Sequence, residues 1–168
     1  MREVPTQSDR TPRVVVEDFV AYRTVGSELV SKWSGRLAHF FEPGEIELNG
    51  DIKGIRFTKR GEETISSESV SVWFDTQSLT ALAGEGKLQR AELKRFVEIS
   101  AGGSVLLTDF AEYLADSNTL RSDRAVKIEG PNRQFSGEKG FLYEVSGDKL
   151  ELFGKITGVM QIDSKQKP

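Results

Sequence analysis

The amino-acid sequence predicts an all-β protein built from antiparallel strands. Apolar and polar residues alternate with a period of two along most of the chain, as in strands that bury one face. Clusters of Gly, Pro, Asn, Asp and Ser interrupt the alternation about every eight to twelve residues, which is typical of a sandwich or barrel. Alternating strand and helix patterns, which would predict a parallel sheet, are not recognisable. The sequence therefore indicates an antiparallel sandwich, barrel or roll.

The clearest predicted element is a β-hairpin over residues 137–158. A first strand over 141–145 leads into a small polar turn over 146–148. In the second strand every other residue is apolar or Gly, in the order Leu150, Leu152, Gly154 and Ile156. A period of two on both sides of a short polar turn is the main signal of a hairpin.

The same pattern recurs closer to the N-terminus, over residues 34–54. A turn over 42–45 precedes a second alternating strand, which carries Ile46, Leu48, Gly50 and Ile52 in phase. A looser copy over 109–130 ends with Val126, Ile128 and Gly130. Hairpins that each bury one face are not stable alone, so these copies must stack or close on one another.

The remaining strands are predicted from the same alternation. A first strand over 14–23 precedes a turn over 25–27. At Gly54 the apolar phase changes, which predicts a bulge or a bend. Residues 79–95 fit a helix or strands, and the surrounding strands favour strands. Further strands are expected over 29–33, 65–74, 96–100, 105–114 and 125–129.

The length and composition are those of one soluble domain. A chain of 168 residues can bury about 70% of its unfolded surface. The net charge is −3 and the signs are interspersed, which argues against nucleic acid as a partner, since that would need a basic face. The chain contains no Cys, so disulfides give no information on its compartment.

No constellation of residues predicts catalysis. The single histidine, His39, is expected to point away from the face of Ala38 and Phe40, and it has no Cys or second His as a metal partner. Asp and Glu residues are scattered through strands and turns, and no pair stands out as an acid and a base. The protein is therefore predicted not to be an enzyme and to hold no metal or cofactor.

Glycines within the alternating strands are the most unusual feature of the sequence. Gly50, Gly130 and Gly154 each lie among apolar residues. One interpretation is a tight bend in a coiled sheet. The other is that the missing side chains open space inside the fold for an apolar ligand. The sequence leaves both interpretations open.

Two segments resemble a known family. The first reads FVAYRTVGSELVSKWSGRLAHFF and combines an aromatic strand, a Gly turn, a Trp and an Ala-containing run. The second reads LRSDRAVKIEGPNRQFSGEKGFLYEVSGDKLELFGKITG and combines a Leu-x-Ser-Asp step with Leu-x-Leu-x-Gly and an Ile strand. Over residues 14–160 the chain resembles the LptC family of lipopolysaccharide export in Gram-negative bacteria, within the superfamily shared with LptA and the N-terminal domain of LptD. Gly26 and Gly130 match glycines of that family.

The resemblance implies a twisted antiparallel β-jellyroll, open at both ends, with a hydrophobic interior groove. The groove would hold the acyl chains of lipopolysaccharide while the sugars stay in water, and no bond would be made or broken. Neighbouring rolls would join by β-augmentation into a bridge across the periplasm. The implied partners are lipopolysaccharide, the periplasmic domains of LptF and LptG at the N-terminal edge, and an LptA-like protein at the C-terminal edge. Edge-to-edge self-association is compatible with this arrangement.

Under this hypothesis, inward-facing apolar side chains line the interior groove. Gly26, Gly50, Gly130 and Gly154 are expected to be structural glycines. The predicted lining residues are Trp33, Phe40, Ile46, Leu48, Ile52, Val70, Val72, Leu107, Tyr113, Val126, Ile128, Tyr143, Leu150, Leu152 and Ile156.

The chain ends are expected to lie outside the folded domain. Residues 1–12 are polar and contain two prolines, which predicts a disordered linker or the stub of a removed anchor. Residues 13–162 would form the jellyroll domain and 163–168 a frayed tail. LptC-type proteins begin with a membrane helix that this sequence lacks. Either the helix was removed from a periplasmic protein anchored to the inner membrane, or the chain is a soluble LptA-like bridge component.

Two further classes of function stay open. A non-catalytic carbohydrate-binding module would present aromatic side chains on a solvent-facing surface. Trp73, opposite the face of Val70 and Val72, is the one candidate for such a surface. A purely structural assembly module would have a filled, dry interior.

Overall fold

The computed structural model describes residues 10–76 and 86–161. These residues form twelve β-strands and no helix, so the predicted all-β class is confirmed. Expectations for 1–9, 77–85 and 162–168 lie outside the described residues. The strands are β1 (Val14–Val25), β2 (Glu28–Phe40), β3 (Glu45–Thr58), β4 (Gly61–Asp75), β5 (Lys87–Ala101), β6 (Ser104–Leu114), β7 (Thr119–Ser122), β8 (Val126–Gly130), β9 (Arg133–Gly137), β10 (Phe141–Glu144), β11 (Lys149–Leu152) and β12 (Ile156–Met160).

All twelve strands belong to one antiparallel sheet that does not close into a barrel. Each of β1 to β5 pairs with the next strand in the chain. The sheet divides at β6, because its C-terminal half pairs with β7 and its N-terminal half pairs with β8. One branch continues from β7 to β10 and β11, and the other continues from β8 to β9 and β12.

A line of irregular residues, which we call the bend line, crosses the long strands near their middle. The pairing register shifts over 34–37 in β2, 49–52 in β3, 66–69 in β4 and 94–97 in β5. Bulges of this kind bend a strand and increase its twist, so each long strand has two halves. The non-glycine residues with positive φ on this line are Asp18, Asp51, Arg95 and Phe96.

The bend line separates two arms of the sheet. Arm one contains the paired residues 14–17, 37–40, 45–49, 69–75, 87–94 and 110–114, together with β7, β10 and β11. Arm two contains 19–25, 28–34, 53–58, 61–66, 97–101 and 104–108, together with β8, β9 and β12. Beyond β6 the arms therefore consist of different strands: β7, β10 and β11 in arm one, and β8, β9 and β12 in arm two.

Two buried hydroxyl groups lie close to the bend line. Ser67 Oγ lies 2.9 Å from the carbonyl oxygens of Ser69 and Lys94 and can donate to either. Thr108 Oγ1 donates to the carbonyl oxygen of Ala125 at 2.9 Å. Because a bulge leaves backbone groups without partners in the ladder, these hydroxyls satisfy carbonyls that would be costly to bury unpaired.

Both arms contribute to one hydrophobic core. Arm one contributes a cross-strand row whose members are all buried, namely Ala38, Leu48, Val70, Leu93 and Ala111. Arm two contributes Val97, Val126 and Ile128 to the same cluster. Opposed residues in an antiparallel pair share one face of the sheet, so the arms turn the same face toward the core.

Two of the three predicted hairpins are present, but the C-terminal one ends earlier than the sequence suggested. In the looser third copy, β6 pairs with both β7 and β8. β2 pairs with β3, and β10 pairs with β11. The predicted continuous strand through Gly154 is wrong, because residues 153–155 are not strand and β12 pairs with β9. Gly154 has a φ of +81°, a conformation that favours glycine, and it lies where the chain passes from arm one to arm two.

The bulge predicted at Gly54 lies four residues earlier. Gly54 pairs regularly with Trp33 and Ile65. The register shift falls instead over 49–52, where Gly50 has a φ of +83°. The sequence therefore showed that β3 bends but gave the wrong residue for the bend.

Candidate functional site

A cavity of about 400 Å³ lies between arm one and arm two. Most of its lining side chains are apolar, and the volume is typical of sites that bind a small ligand. Arm two contributes Ile65 and Ile99 to its wall, which the sequence analysis did not single out. The predicted lining residues that do line this cavity are Trp33, Leu48, Val70, Val72, Tyr113 and Tyr143.

Cross-strand register explains why these side chains share a wall. Opposed residues in an antiparallel sheet point to the same face. In arm one, the row that lines the cavity is Val72, Ala91, Tyr113, Leu120 and Tyr143. In arm two, the corresponding row is Trp33, Gly54, Ile65 and Ile99. The cavity is therefore the space between two rows that the pairing of the strands aligns.

Other predicted lining residues belong to the packed core and do not line the cavity. A core residue and a residue of a cavity wall follow the same alternation along a strand, so the sequence could not separate them. Those that are buried are Ile46, Ile52, Val126 and Ile128. Those that are partly buried and pack against the core are Phe40 and Leu152.

Three predicted lining residues lie away from this cavity. Leu106, rather than Leu107, packs against the core, and Leu107 lines a separate, more open depression of about 990 Å³. Tyr113 and Leu107 do not share the inward face of β6. The register shift over 94–97 in β5 lies opposite residues 108–110 of β6, which separate the two side chains. Leu150 and Ile156 are 40% and 54% exposed, because their strands β11 and β12 are edges of the described sheet.

The cavity has a polar end that the sequence analysis missed. Arg23, Ser31, Arg56 and Glu63 lie opposite one another on β1 to β4 in arm two, and all four line the cavity. We call these residues the polar row. A signal was present in the sequence, because Arg23 follows buried Phe19 by four residues and so shares its inward phase.

The charges of the polar row are not balanced. Arg56 Nε donates to Glu63 Oε2 at 2.7 Å, and the two side chains are 43% and 26% exposed. Arg23 forms no ion pair with any residue of the described chain. Its Nη2 donates to the Gly86 carbonyl at 3.0 Å, and its guanidinium carbon lies 5.5 Å from the centre of the Phe74 ring. Two arginines and one glutamate leave one positive charge in excess.

Tyr143 lines the cavity from arm one. Its hydroxyl donates to Asp148 Oδ1 at 3.0 Å. Burial, this hydrogen bond and the nearby Glu63 carboxylate raise the pKa of Tyr143 above its usual value. Arg60 Nη1, in the turn between β3 and β4, lies 4.0 Å from Asp148 Oδ2.

The predicted structural glycines have different settings. Gly26 lies in the turn between β1 and β2 and Gly50 on the bend line, both with positive φ, whereas Gly130 ends β8 without one. None of these lines the cavity, but Gly54 does. A Cβ added at Gly54 would lie 2.6 Å from the Trp33 ring, so its missing side chain makes room for the indole.

Two aromatic residues considered for other functions are covered by neighbours. The Arg90 guanidinium lies over the Trp73 ring at 4.7 Å, which occupies one face that a sugar would stack on. His39 packs edge-on against Phe41, with 6.2 Å between the ring centres. Within the residues that the structure describes, no group of His, Asp and Glu is arranged to hold a metal ion.

The largest cluster of charges lies across β5, β6 and β7 and is internally paired. Glu92 and Glu112 lie opposite each other, with side chains only 15% exposed. Glu112 accepts a hydrogen bond from Arg121 Nε at 2.9 Å and forms an ion pair with Arg90, and Glu92 forms ion pairs with Arg90 and Lys94. These cations offset the repulsion between two opposed carboxylates, so the cluster stabilises the sheet.

Comparison with known proteins does not assign the chain to a family. No family model matches the sequence, and no curated protein matches it. The resemblance to the LptC family therefore rests on the residues quoted above. A search of the described residues found no helix with the length and hydrophobicity needed to cross a membrane.

Proposed function

We propose that the protein binds lipopolysaccharide through its acyl chains and passes it from an inner-membrane transporter to a periplasmic bridge of β-jellyroll proteins towards the outer membrane. The observation that supports this function best is the cavity between the arms, which is mostly apolar and ends in the polar row. A cavity of this kind suits a ligand with a long apolar part and a polar head.

The course of the strands supports a twisted jellyroll with an interior groove. Two arms enclose the cavity, and each receives its own strands after β6. In a roll open at both ends, the cavity would continue as a groove along the inward-facing rows. Acyl chains would lie in the groove and the sugars would remain in solvent.

Burial of acyl chains supplies enough free energy for binding without a specific polar contact. Each CH₂ group that leaves water contributes about 0.8 kcal/mol, so ten of them contribute roughly 8 kcal/mol before the costs of association. Trp33, Val72 and Tyr113 would provide much of the contact surface, since they line the cavity from both arms.

The edges of the sheet support transfer between proteins. In the described sheet β1 pairs only with β2, so its other edge has unpaired backbone groups. A long apolar edge is a template for pairing with another chain. Six large apolar residues of β1 are exposed: Val14, Val15, Val16, Val20, Tyr22 and Val25.

This edge would face the periplasmic domains of LptF and LptG. The edges of β11 and β12 would face an LptA-like protein. The setting would be the periplasm, at the inner membrane, and the same edges would also allow copies of the chain to associate. A soluble LptA-like bridge component would use the same cavity and edges.

Photo-crosslinking to lipopolysaccharide tests the proposed ligand. Benzoylphenylalanine replaces Tyr113 in the cavity wall, and in a second variant it replaces Trp33. Replacement of Tyr22 is the matched control, because this side chain is 52% exposed and faces away from the cavity. After illumination, lipopolysaccharide bound to each folded variant is detected on a blot.

We expect strong crosslinks at Tyr113 and Trp33 and weak ones at Tyr22. Equal crosslinking at all three positions would indicate adsorption to the surface and would contradict the proposal. If folded variants gave no crosslinks, the protein would be better interpreted as an assembly module that holds no lipid. The exposed apolar residues of β1 also favour that interpretation. Sedimentation of the protein without lipid would then reveal its self-association.

A further inference from the structure

We propose that Arg23 makes the cavity selective for amphiphiles whose headgroup carries a phosphate. This inference rests on the proposed function, because it takes the cavity as the place where an acyl chain is held. It adds a recognition site for the headgroup at the polar row. The Arg23 guanidinium has unused hydrogen-bond donors among the described residues and lies next to the apolar rows of the cavity.

Arg23 is half-buried at the cavity and has hydrogen-bonding capacity left over. A guanidinium carries five N–H donors, and only one of those of Arg23 has an acceptor in the described chain, the Gly86 carbonyl. No carboxylate of the described residues neutralises it. An anionic ligand beside this partly desolvated cation would gain both charge complementarity and hydrogen bonds.

The second arginine of the polar row serves as an internal contrast. Arg56 already holds the Glu63 carboxylate at 2.7 Å and so has less to offer an anion. Ser31 lies between Arg23 and Arg56 in the cross-strand register, with a buried side chain that lines the cavity. A phosphate at Arg23 would therefore have a hydroxyl within the same row as a further donor.

The order of the rows fits a ligand with a head and a tail. The polar row lies next to an apolar row. Trp33 is two residues after Ser31 in β2, and its partner Gly54 is two residues before Arg56 in β3. Successive inward-facing residues of a strand are about 6.6 Å apart. A headgroup held at Arg23 thus has its first methylene groups beside Trp33, and the planar fork of an arginine matches the oxygens of a phosphate.

Calorimetric titration with two amphiphiles of equal chain length tests this assignment. Decyl phosphate and 1-decanol, both below their aggregation limits, are titrated into the wild-type protein and into the Arg23→Gln and Arg23→Lys variants. Arg36→Gln is the matched control, because Arg36 is 72% exposed, pairs with Asp51 and does not line the cavity. Inorganic phosphate is titrated separately.

We expect the wild-type protein and Arg36→Gln to bind decyl phosphate about tenfold more tightly than 1-decanol. Arg23→Gln should lose this preference, so that the two amphiphiles bind with similar affinity, and Arg23→Lys should keep part of it. If both amphiphiles bind equally to the wild type, or if Arg23→Gln keeps the preference, the inference is wrong although the cavity binds lipid. If neither binds, the proposed function itself fails. Inorganic phosphate that binds as tightly as decyl phosphate would show a bare anion site and overturn the inference.

Discussion

Arm one and arm two line the same cavity, but their inward-facing rows end differently. In arm one the wall stays apolar to its end, where Phe74 follows Val72. In arm two the apolar row of Trp33 gives way to the polar row, which includes Arg23. Arm one therefore supplies mainly apolar packing, whereas arm two also places charged side chains at the cavity.

Replacement of a fully buried residue of arm one should have the largest effect on stability. Phe141 in β10 is 0% exposed, whereas Ile156 in β12 of arm two is 54% exposed. Phe141→Ala should lower the free energy of unfolding by about 3–5 kcal/mol, because it leaves a cavity in the core. Ile156→Ala should change it by no more than about 0.5 kcal/mol. Urea denaturation followed by circular dichroism measures both.

These two residues form a matched comparison because the sequence placed them in one predicted hairpin. A similar loss of stability for Phe141→Ala and Ile156→Ala would mean that β12 is covered as well as β10. The difference in burial between β10 of arm one and β12 of arm two would then not hold. A large loss for Phe141 alone would support it.

The sequence predicted the strands of the molecule better than it predicted their phase. The strict alternation of β2, β3, β10 and β11 predicted both hairpins, because local pairing determines where such strands turn. On the two sides of residues 108–110 of β6, the residues that pack against the core change from Tyr113 to Leu106, so Leu107 lies outside the core. A bulge shifts the phase of a strand, and its position depends on neighbouring strands that the local pattern does not reveal.

The candidate site shows a second limit of the sequence. Trp33, Val72 and Tyr113 were predicted to face the interior, and they line the cavity. The polar row was missed because an arginine in a strand is usually solvent-exposed. Only the register of β1 to β4 brings Arg23 and Arg56 to the same wall, and register is a long-range property.

The fit between Gly54 and Trp33 in arm two should give an intermediate effect. Gly54→Ala places a methyl group where the closest Trp33 ring atom lies at 2.6 Å. The indole must then shift, which should lower the free energy of unfolding by about 1–3 kcal/mol. Gly147→Ala is the control, because its added Cβ would have only the Glu144 carboxylate nearby, at 3.6 Å.

Tryptophan fluorescence provides a second readout for the Gly54→Ala variant. Displacement of Trp33 should change the emission of the folded protein, whereas Gly147→Ala should leave it unchanged. If Gly54→Ala were as stable as the wild type with unchanged emission, the wall of arm two would be adaptable rather than closely packed. The difference between the two arms would then lie only in their polar residues.

The hydrogen bond between Tyr143 and Asp148, within the β10–β11 hairpin of arm one, should have the smallest effect, and that effect should depend on pH. Tyr143→Phe removes the hydrogen bond to Asp148, which should lower the free energy of unfolding by about 1 kcal/mol at neutral pH. The folded state raises the pKa of Tyr143, first through burial and then through Asp148. The protonated hydroxyl is therefore favoured in the fold, and its stabilisation is complete below the pKa of the unfolded chain and is lost as the pH rises through the folded pKa.

The stability gap between the wild type and Tyr143→Phe should accordingly narrow between about pH 8 and pH 11, because a tyrosine ionises near pH 10 in the unfolded chain. Urea denaturation at both pH values measures the gap. Tyr22→Phe is a matched control, since the Tyr22 ring lies 5.7 Å from Lys32 Nζ on the outer side and a phenylalanine can keep this contact. A gap that stays constant with pH would show that the Tyr143 hydroxyl is solvated. In that case the hydrogen bond to Asp148 would add little to the stability of arm one.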